Sequence, residues 1–266
     1  MKRKVIKQGN GTLTITLPKQ WTNKVGLKGG DEIDVDVEGN SVRINTTKAP
    51  RLKEKTVDLS EIEVSAARVL SALYKQGYDE VRLRFDDVSA IKKIQNEVTK
   101  HLMTYEIVDQ TQNSCYVKSL STENYDDFDA ILRKAFQVGL SLAKNSLEHV
   151  KSGQFDELDN LLVLENANNR FTSFCHRVIV KKGYKDQKKN VFMYVLIWQL
   201  EKAVDNYKLI VQYLSKNKKK PNKQTLELYK QVNDFFELFY QAFYKYDSKK
   251  MNQFSSMRKN LINRCN

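Results

Sequence analysis

Lys2, Arg3, Lys4, Lys7, Lys19, Lys24 and Lys28 place seven cations in the first thirty residues, and no acidic residue precedes Asp31. Such a set can neutralise several nucleic-acid phosphates, each contact adding affinity and steepening its dependence on salt. Among these cations runs NGTLTITLP, Asn10 to Pro18. Thr12, Thr14 and Thr16 alternate there with Leu13, Ile15 and Leu17, the pattern of a strand with one polar and one apolar face. A two-stranded ribbon fits the major groove, where polar side chains reach phosphates or base edges. The same residues also read as a solvated charged surface with ordinary strand threonines.

A second constellation is acidic. Glu165-x-x-x-Asn169 and Glu201-x-x-x-Asp205 each set two oxygen-bearing side chains on one face of a helix. On neighbouring antiparallel helices the two pairs would converge and could bind a cation through oxygen. Exposed helix faces also produce this spacing by chance. No nucleophile, base and oxyanion-donor set is present, so no catalytic residue and no enzyme is expected. Cys115, Cys175 and Cys265 are odd in number and far apart, which gives neither a disulfide framework nor a zinc set and suits a reducing cytoplasm. Cys175 and His176 are adjacent and face different ways on a helix, while His101 and His149 stand alone.

These groups need elements to hold them. The chain has 266 residues, a net charge of +13 and three prolines, so two or three domains without long low-complexity tracts are expected. The charge suggests a polyanionic partner. The apolar run Val191 to Trp198 is far too short to span a membrane, which takes roughly 20 residues.

Residues 1–47 read as short strands around one helix that opens at Pro18, with a last hairpin around Gly39-Asn40. This segment is too small to bury its apolar faces alone, and dimerisation is the usual remedy. Residues 56–120 read as βαβαββ, with Ser60 and Glu63 as a capping box for the first helix and Gly77 closing it. Within 124–266 the spacing predicts helices over 125–151, 154–183, 190–215, 223–245 and 248–264, packed as an antiparallel bundle. The third takes Leu196, Leu200, Val204, Tyr207, Val211 and Leu214 as its core stripe, and the fourth takes Val232, Phe236, Phe239 and Phe243.

KVIKQGNGTLTITLPKQWTNKVGLKGGDEIDVDVEGNSVRI resembles the AbrB/MazE swapped-hairpin DNA-binding domain. The shared order is a basic first strand, Gly9 and Gly11, a strand closing on Pro18, a short helix, Leu27, Gly30-Asp31 and a hairpin around Gly39. The resemblance implies a small β-barrel built from two chains, with DNA contacts at Lys4 and Lys7 and at Arg3, Gln8, Asn10, Thr12 and Lys19 nearby. Thr16 stands where many members carry an arginine.

LLVLENANNRFTSFCHRVI and VLIWQLEKAVDNYKLIVQYL resemble the second and third helices of a PhoU repeat. That resemblance implies a divalent or iron ion at Glu165, Asn169, Glu201 and Asp205, although Asn169 replaces an acid and none is required. Only two helices remain where PhoU would complete a second repeat.

The fold class expected is therefore multidomain α and β: a swapped-hairpin barrel head, a small α/β segment and an all-α PhoU-like bundle. The combination resembles archaeal PhoU-type phosphate uptake regulators. It implies a dimeric, cytoplasmic, DNA-binding transcriptional regulator of phosphate homeostasis. The alternative is an adaptor that binds a phosphate transporter or sensor kinase and uses its head only to dimerise. An antitoxin is a third idea, set against by more than two hundred structured residues beyond the head.

Overall fold

A computed structural model describes residues 1–46, 52–60, 65–120 and 125–265. The chain divides into two compact units, Met1–Lys53 and Glu54–Asn266.

In the first unit, β1 (Ile6–Gln8) pairs antiparallel with β2 (Thr12–Thr14), α1 spans Lys19–Val25, and β3 (Ile33–Glu38) pairs with β4 (Ser41–Thr46). Pro18 precedes the helix as its N-cap rather than lying in its first turn. Gly26, at φ 68°, closes α1, and the Leu27 N–H reaches back to the Thr22 carbonyl at 2.9 Å. The register of β3 and β4 pairs Val35 with Ile44 and Val37 with Val42, so the apolar residues share one face. Among the described residues of this unit, nothing covers that face. Val37 is 75% exposed and Leu13 68%, and no residue of 1–46 with a described side chain is buried. Within one chain these strands form two separate two-stranded sheets, and the expected barrel, which takes two chains, is not shown by one.

The second unit opens with a four-stranded sheet in the order β5 (Glu54–Asp58), β6 (Glu80–Arg84), β8 (Ser114–Ser119), β7 (Tyr105–Gln110). β5 and β6 are parallel and the other pairs antiparallel. α2 (Ala66–Lys75) and α3 (Ser89–His101) supply Leu70, Tyr74 and Ile94 to a core with Val81, Leu83 and Val117. The expected βαβαββ order is present. The helix opening is not where the capping-box spacing put it, because α2 starts at Ala66 after Ser65. Ser60 instead bonds the Asp58 carboxylate through its N–H at 3.1 Å and its hydroxyl at 2.7 Å. Short polar side chains compete for local backbone partners in this way. Glu63 lies outside the described residues.

Five long helices follow: α4 (Tyr125–Ser152), α5 (Leu162–Lys182), α6 (Asn190–Asn217), α7 (Lys223–Tyr244) and α8 (Ser248–Cys265). The helix expected from 154 begins as a separate 3-10 turn, Phe155–Leu161. The six core residues expected in α6 are all buried. Phe236, Phe239 and Phe243 of α7 surround the Phe136 ring at 6.4, 6.0 and 5.6 Å. Val232 does not join them and is exposed. Tyr229 and Asn233 take the inward positions on that stretch, bonding Ser146 Oγ at 2.7 Å and the Ala143 carbonyl at 2.6 Å.

The α/β segment packs against the helices rather than standing apart, because α2 and α3 both contact α5. α5 is consequently buried on nearly every side, including Asn168, Thr172, Ser173, His176 and Arg177. Arg177 locks the junction. Its guanidinium donates to the Tyr74 carbonyl at 3.0 Å, the Tyr78 carbonyl at 2.5 Å and the Asp79 carboxylate at 2.7 Å.

Candidate nucleic-acid interface and the polar layer of the helices

The tip of the head is set by two glycines. Gly9 at φ 63° and Gly11 at φ 106° lie where side chains strain the backbone, and the Gly11 N–H bonds the Gly9 carbonyl at 3.0 Å. Asn10 is held between them at the exposed apex. Arg3 and Lys4 precede β1, Lys7 and Gln8 lie on it, Thr12 starts β2, and Lys19 is the first residue of α1. All seven are exposed. None of the four cations among them is in an ion pair within the described residues, so their charge is available to a polyanion.

The strand register divides this set. Gln8 pairs with Thr12 and Ile6 with Thr14, whereas Lys7 pairs with Leu13. Directly paired residues share a face. Gln8, Thr12, Ile6 and Thr14 therefore present one side of the ribbon, and Lys7 shares the other with Leu13. The family resemblance groups Lys7 with Gln8 and Thr12 as DNA contacts, and the register sets it on the face opposite to theirs.

The acidic constellation sits where α5 and α6 run antiparallel. Lys208 Nζ contacts Glu165 Oε1 at 2.7 Å, and Thr172 Oγ1 donates to Glu201 Oε2 at 3.4 Å, which fixes the register between the helices. Asn169 and Asp205 lie between those two contacts in their helices. The motifs are thus level with each other, but each carboxylate already faces an ammonium group. Glu165, 2% exposed, takes Lys208 and the Asn169 amide at 2.6 Å. Glu201 faces Lys75 of α2 at 3.4 Å, and Asp205 faces Lys202 at 3.4 Å. The amide oxygen of Asn169 is buried and has no hydrogen-bond partner. Among the described residues no three His, Cys, Asp or Glu side chains converge as metal ligands would. A resident metal does not fit this arrangement, because it would have to displace the lysines.

Sequence reasoning missed Lys75, Thr172 and Lys208. Lys208 had a signal, since it follows Glu201 by seven residues and shares its helix face.

His101 was expected to stand alone and does not. Its ring bridges two elements, with Nδ1 2.9 Å from Glu97 and Nε2 3.2 Å from Asn166 of α5. The Glu97 hydrogen bond raises its pKa above 6.5, against a burial effect that lowers it. Protonation lets both ring nitrogens donate. A folded pKa above the unfolded one stabilises fully below pH 6.5, and that contribution vanishes as pH rises through the folded value. The thermal stability advantage of the native chain over His101→Gln is therefore expected to be greatest in mild acid and to shrink above neutrality. Melting curves across pH check this, and an advantage that grows with pH would refute it. His149 likewise has a partner, Gln154 Oε1 at 2.8 Å.

His176 is buried with Nε2 3.2 Å from the Tyr194 carbonyl, and burial pushes its pKa down to about 4, so the ring stays neutral in the core. Cys115 and Cys175 are buried free thiols, and burial pushes Cys115 up to about 11. Both are unreactive packing residues.

Residues 6–52 match the family described as antidote-toxin recognition MazE, bacterial antitoxin. Searches of the curated proteins and of the solved structures found no match. No helix among the described residues is long and apolar enough to cross a membrane. The helical region is compatible with a PhoU-like repeat, but no comparison matches it. The similarity to a known family is thus confined to the N-terminal unit, over residues 6–52.

Proposed function

We propose that the chain is a homodimeric, DNA-binding transcriptional regulator whose two heads complete each other's core and present their basic tips to DNA. The observation that carries this reading is the head itself. It matches the MazE family over residues 6–52, and among its described residues none is buried and Arg3, Lys4, Lys7 and Lys19 are exposed without acidic partners. The swapped-hairpin barrel belongs to this reading, since the uncovered apolar faces of β1–β2 and β3–β4 are what a second chain would close.

The helical unit serves as the sensing or relay element. The PhoU resemblance supports phosphate homeostasis as the regulated process, with a phosphate transporter or sensor kinase component as a further partner. Its polar layer works without a resident metal, because Lys75, Lys202 and Lys208 supply the counter-charge at Glu201, Asp205 and Glu165.

Gel-shift titrations on phosphate-transport promoters and random DNA, at several salt concentrations, test the proposal. Lys4→Ala/Lys7→Ala removes four cations per dimer. If all four lie on phosphate, the slope of log affinity against log salt falls by about three to four. An unchanged slope excludes those contacts, and no preference for the promoters removes the transcriptional role. A variant that loses DNA binding but keeps every cellular effect leaves the adaptor reading. An antitoxin-like regulator is the second reading, favoured by the description of the matched family. It requires a toxin partner that co-purifies with the chain and is neutralised by it.

A further inference from the structure

α6 has two apolar faces. One carries the buried Met193, Leu196, Leu200, Val204, Val211 and Leu214. The other lies on the opposite side, where a surface helix ordinarily presents polar residues. Val191, Val195, Trp198, Lys202, Asp205 and Leu209 follow one another there at alternating steps of four and three residues. That is the spacing of a coiled-coil seam. Trp198 is 50% exposed and Leu209 61%, and Tyr213 beside the end of the seam is 66% exposed.

The order of the four central residues, Trp198, Lys202, Asp205 and Leu209, is symmetric. Apolar residues flank a central pair of opposite charges, Lys202 and Asp205. A two-fold axis through the midpoint of that pair sets a second α6 antiparallel to the first. Trp198 then faces the partner's Leu209, and Lys202 faces the partner's Asp205 twice over, once from each chain. Parallel pairing in register would instead set like charges against each other. An isologous dimer requires a surface that is complementary to itself under a two-fold axis, and the centre of this face meets that condition in the order of its apolar and charged residues. Lys202 and Asp205 are only 3.4 Å apart within one chain, with much of the lysine in solvent, so they can re-pair across the axis.

We propose that the outer face of α6 is a second self-association surface, pairing the helical units of two copies antiparallel about Lys202 and Asp205. It is a separate surface from the head and does not depend on DNA binding.

Cysteine linking in the full chain, with Cys265→Ser in every sample, tests this geometry. Trp198→Cys/Leu209→Cys is expected to form a covalent dimer on mild oxidation, since antiparallel pairing brings position 198 to the partner's 209. Each single cysteine variant is expected to stay unlinked. Lys202→Glu in the double-cysteine chain should cut linking at least tenfold, and adding Asp205→Lys should restore it. Efficient linking by Trp198→Cys alone means parallel pairing and overturns the proposal. So does failure of the double-cysteine chain to link while sedimentation still shows a dimer, a result that leaves the head's own pairing standing. Charge reversal without effect on linking overturns it as well. Melting of the reduced variants near the native temperature shows that the packing of α6 is intact.

Discussion

Asp79→Ala is expected to lower the stability of the sheet-and-helix unit by roughly 3–5 kcal/mol, the cost of removing one partner from a buried ion pair. Arg177 is fully buried, so its charge has no route to water once the carboxylate is gone. The two carbonyls that accept from it, on Tyr74 and Tyr78, satisfy its geometry but not its charge. Lys181 reaches the same Asp79 oxygen at 2.5 Å, but its side chain is partly exposed and can turn outward. Asp79→Leu/Arg177→Met removes both charges of the central pair and should cost less than Asp79→Ala alone. Urea unfolding of a Trp21→Phe chain followed by Trp198 fluorescence reports on the unit that contains the pair. A loss below about 1 kcal/mol, the size of a surface ion pair, would mean that the charge is neutralised elsewhere.

The second large effect belongs to the head. Leu13→Asp is expected to abolish its pairing and to weaken DNA binding by at least about a hundredfold, since a buried and unpaired charge costs several kcal/mol and enters once per chain. Leu13 is exposed in one chain, so the substitution costs little there and acts on the paired state. The readouts are DNA titration and limited proteolysis of residues 1–46, which should become cleavable while Glu54–Asn266 stays resistant. Sedimentation adds a distinction, because pairing through α6 can persist when the heads have separated. DNA binding at native affinity would show that Leu13 is not part of a shared core.

Much of this architecture was legible in the sequence. Helices α4 to α8 announced themselves through apolar residues at three- and four-residue steps, and the alternating strands of the head through period two. What stayed hidden was every contact that depends on a second element. α5 carries Asn168, Thr172 and Arg177, whose polar groups are answered by the Ala135 carbonyl of α4, Glu201 of α6 and the Tyr74 carbonyl of α2. Ser60 and Glu63 had the spacing of a capping box, but Asp58 offers Ser60 a nearer partner. His101 looked isolated because Asn166 is remote in sequence, although Glu97, four residues before it, was a visible clue.

The candidate sites divide in the same way. The basic tip was legible because its charge is concentrated in one short segment. The cross-strand partners of Lys7 and Gln8, Leu13 and Thr12, depend on the turn between the strands and were not legible. The acidic pairs were legible by spacing, but the lysines that answer them come from other turns and another helix. A sequence pattern identifies what one element offers and is silent about what the next element supplies.

A head with no buried residue of its own has a consequence for dosage. In the proposed dimer, folding, pairing and DNA contact are a single equilibrium that draws on two chains at once. When chains are scarce, the amount of competent head rises with the square of their number, so doubling the supply quadruples it. Binding to an operator then switches on over a narrower range of expression than a preassembled monomeric binder would allow, and the threshold is set by the strength of the shared core.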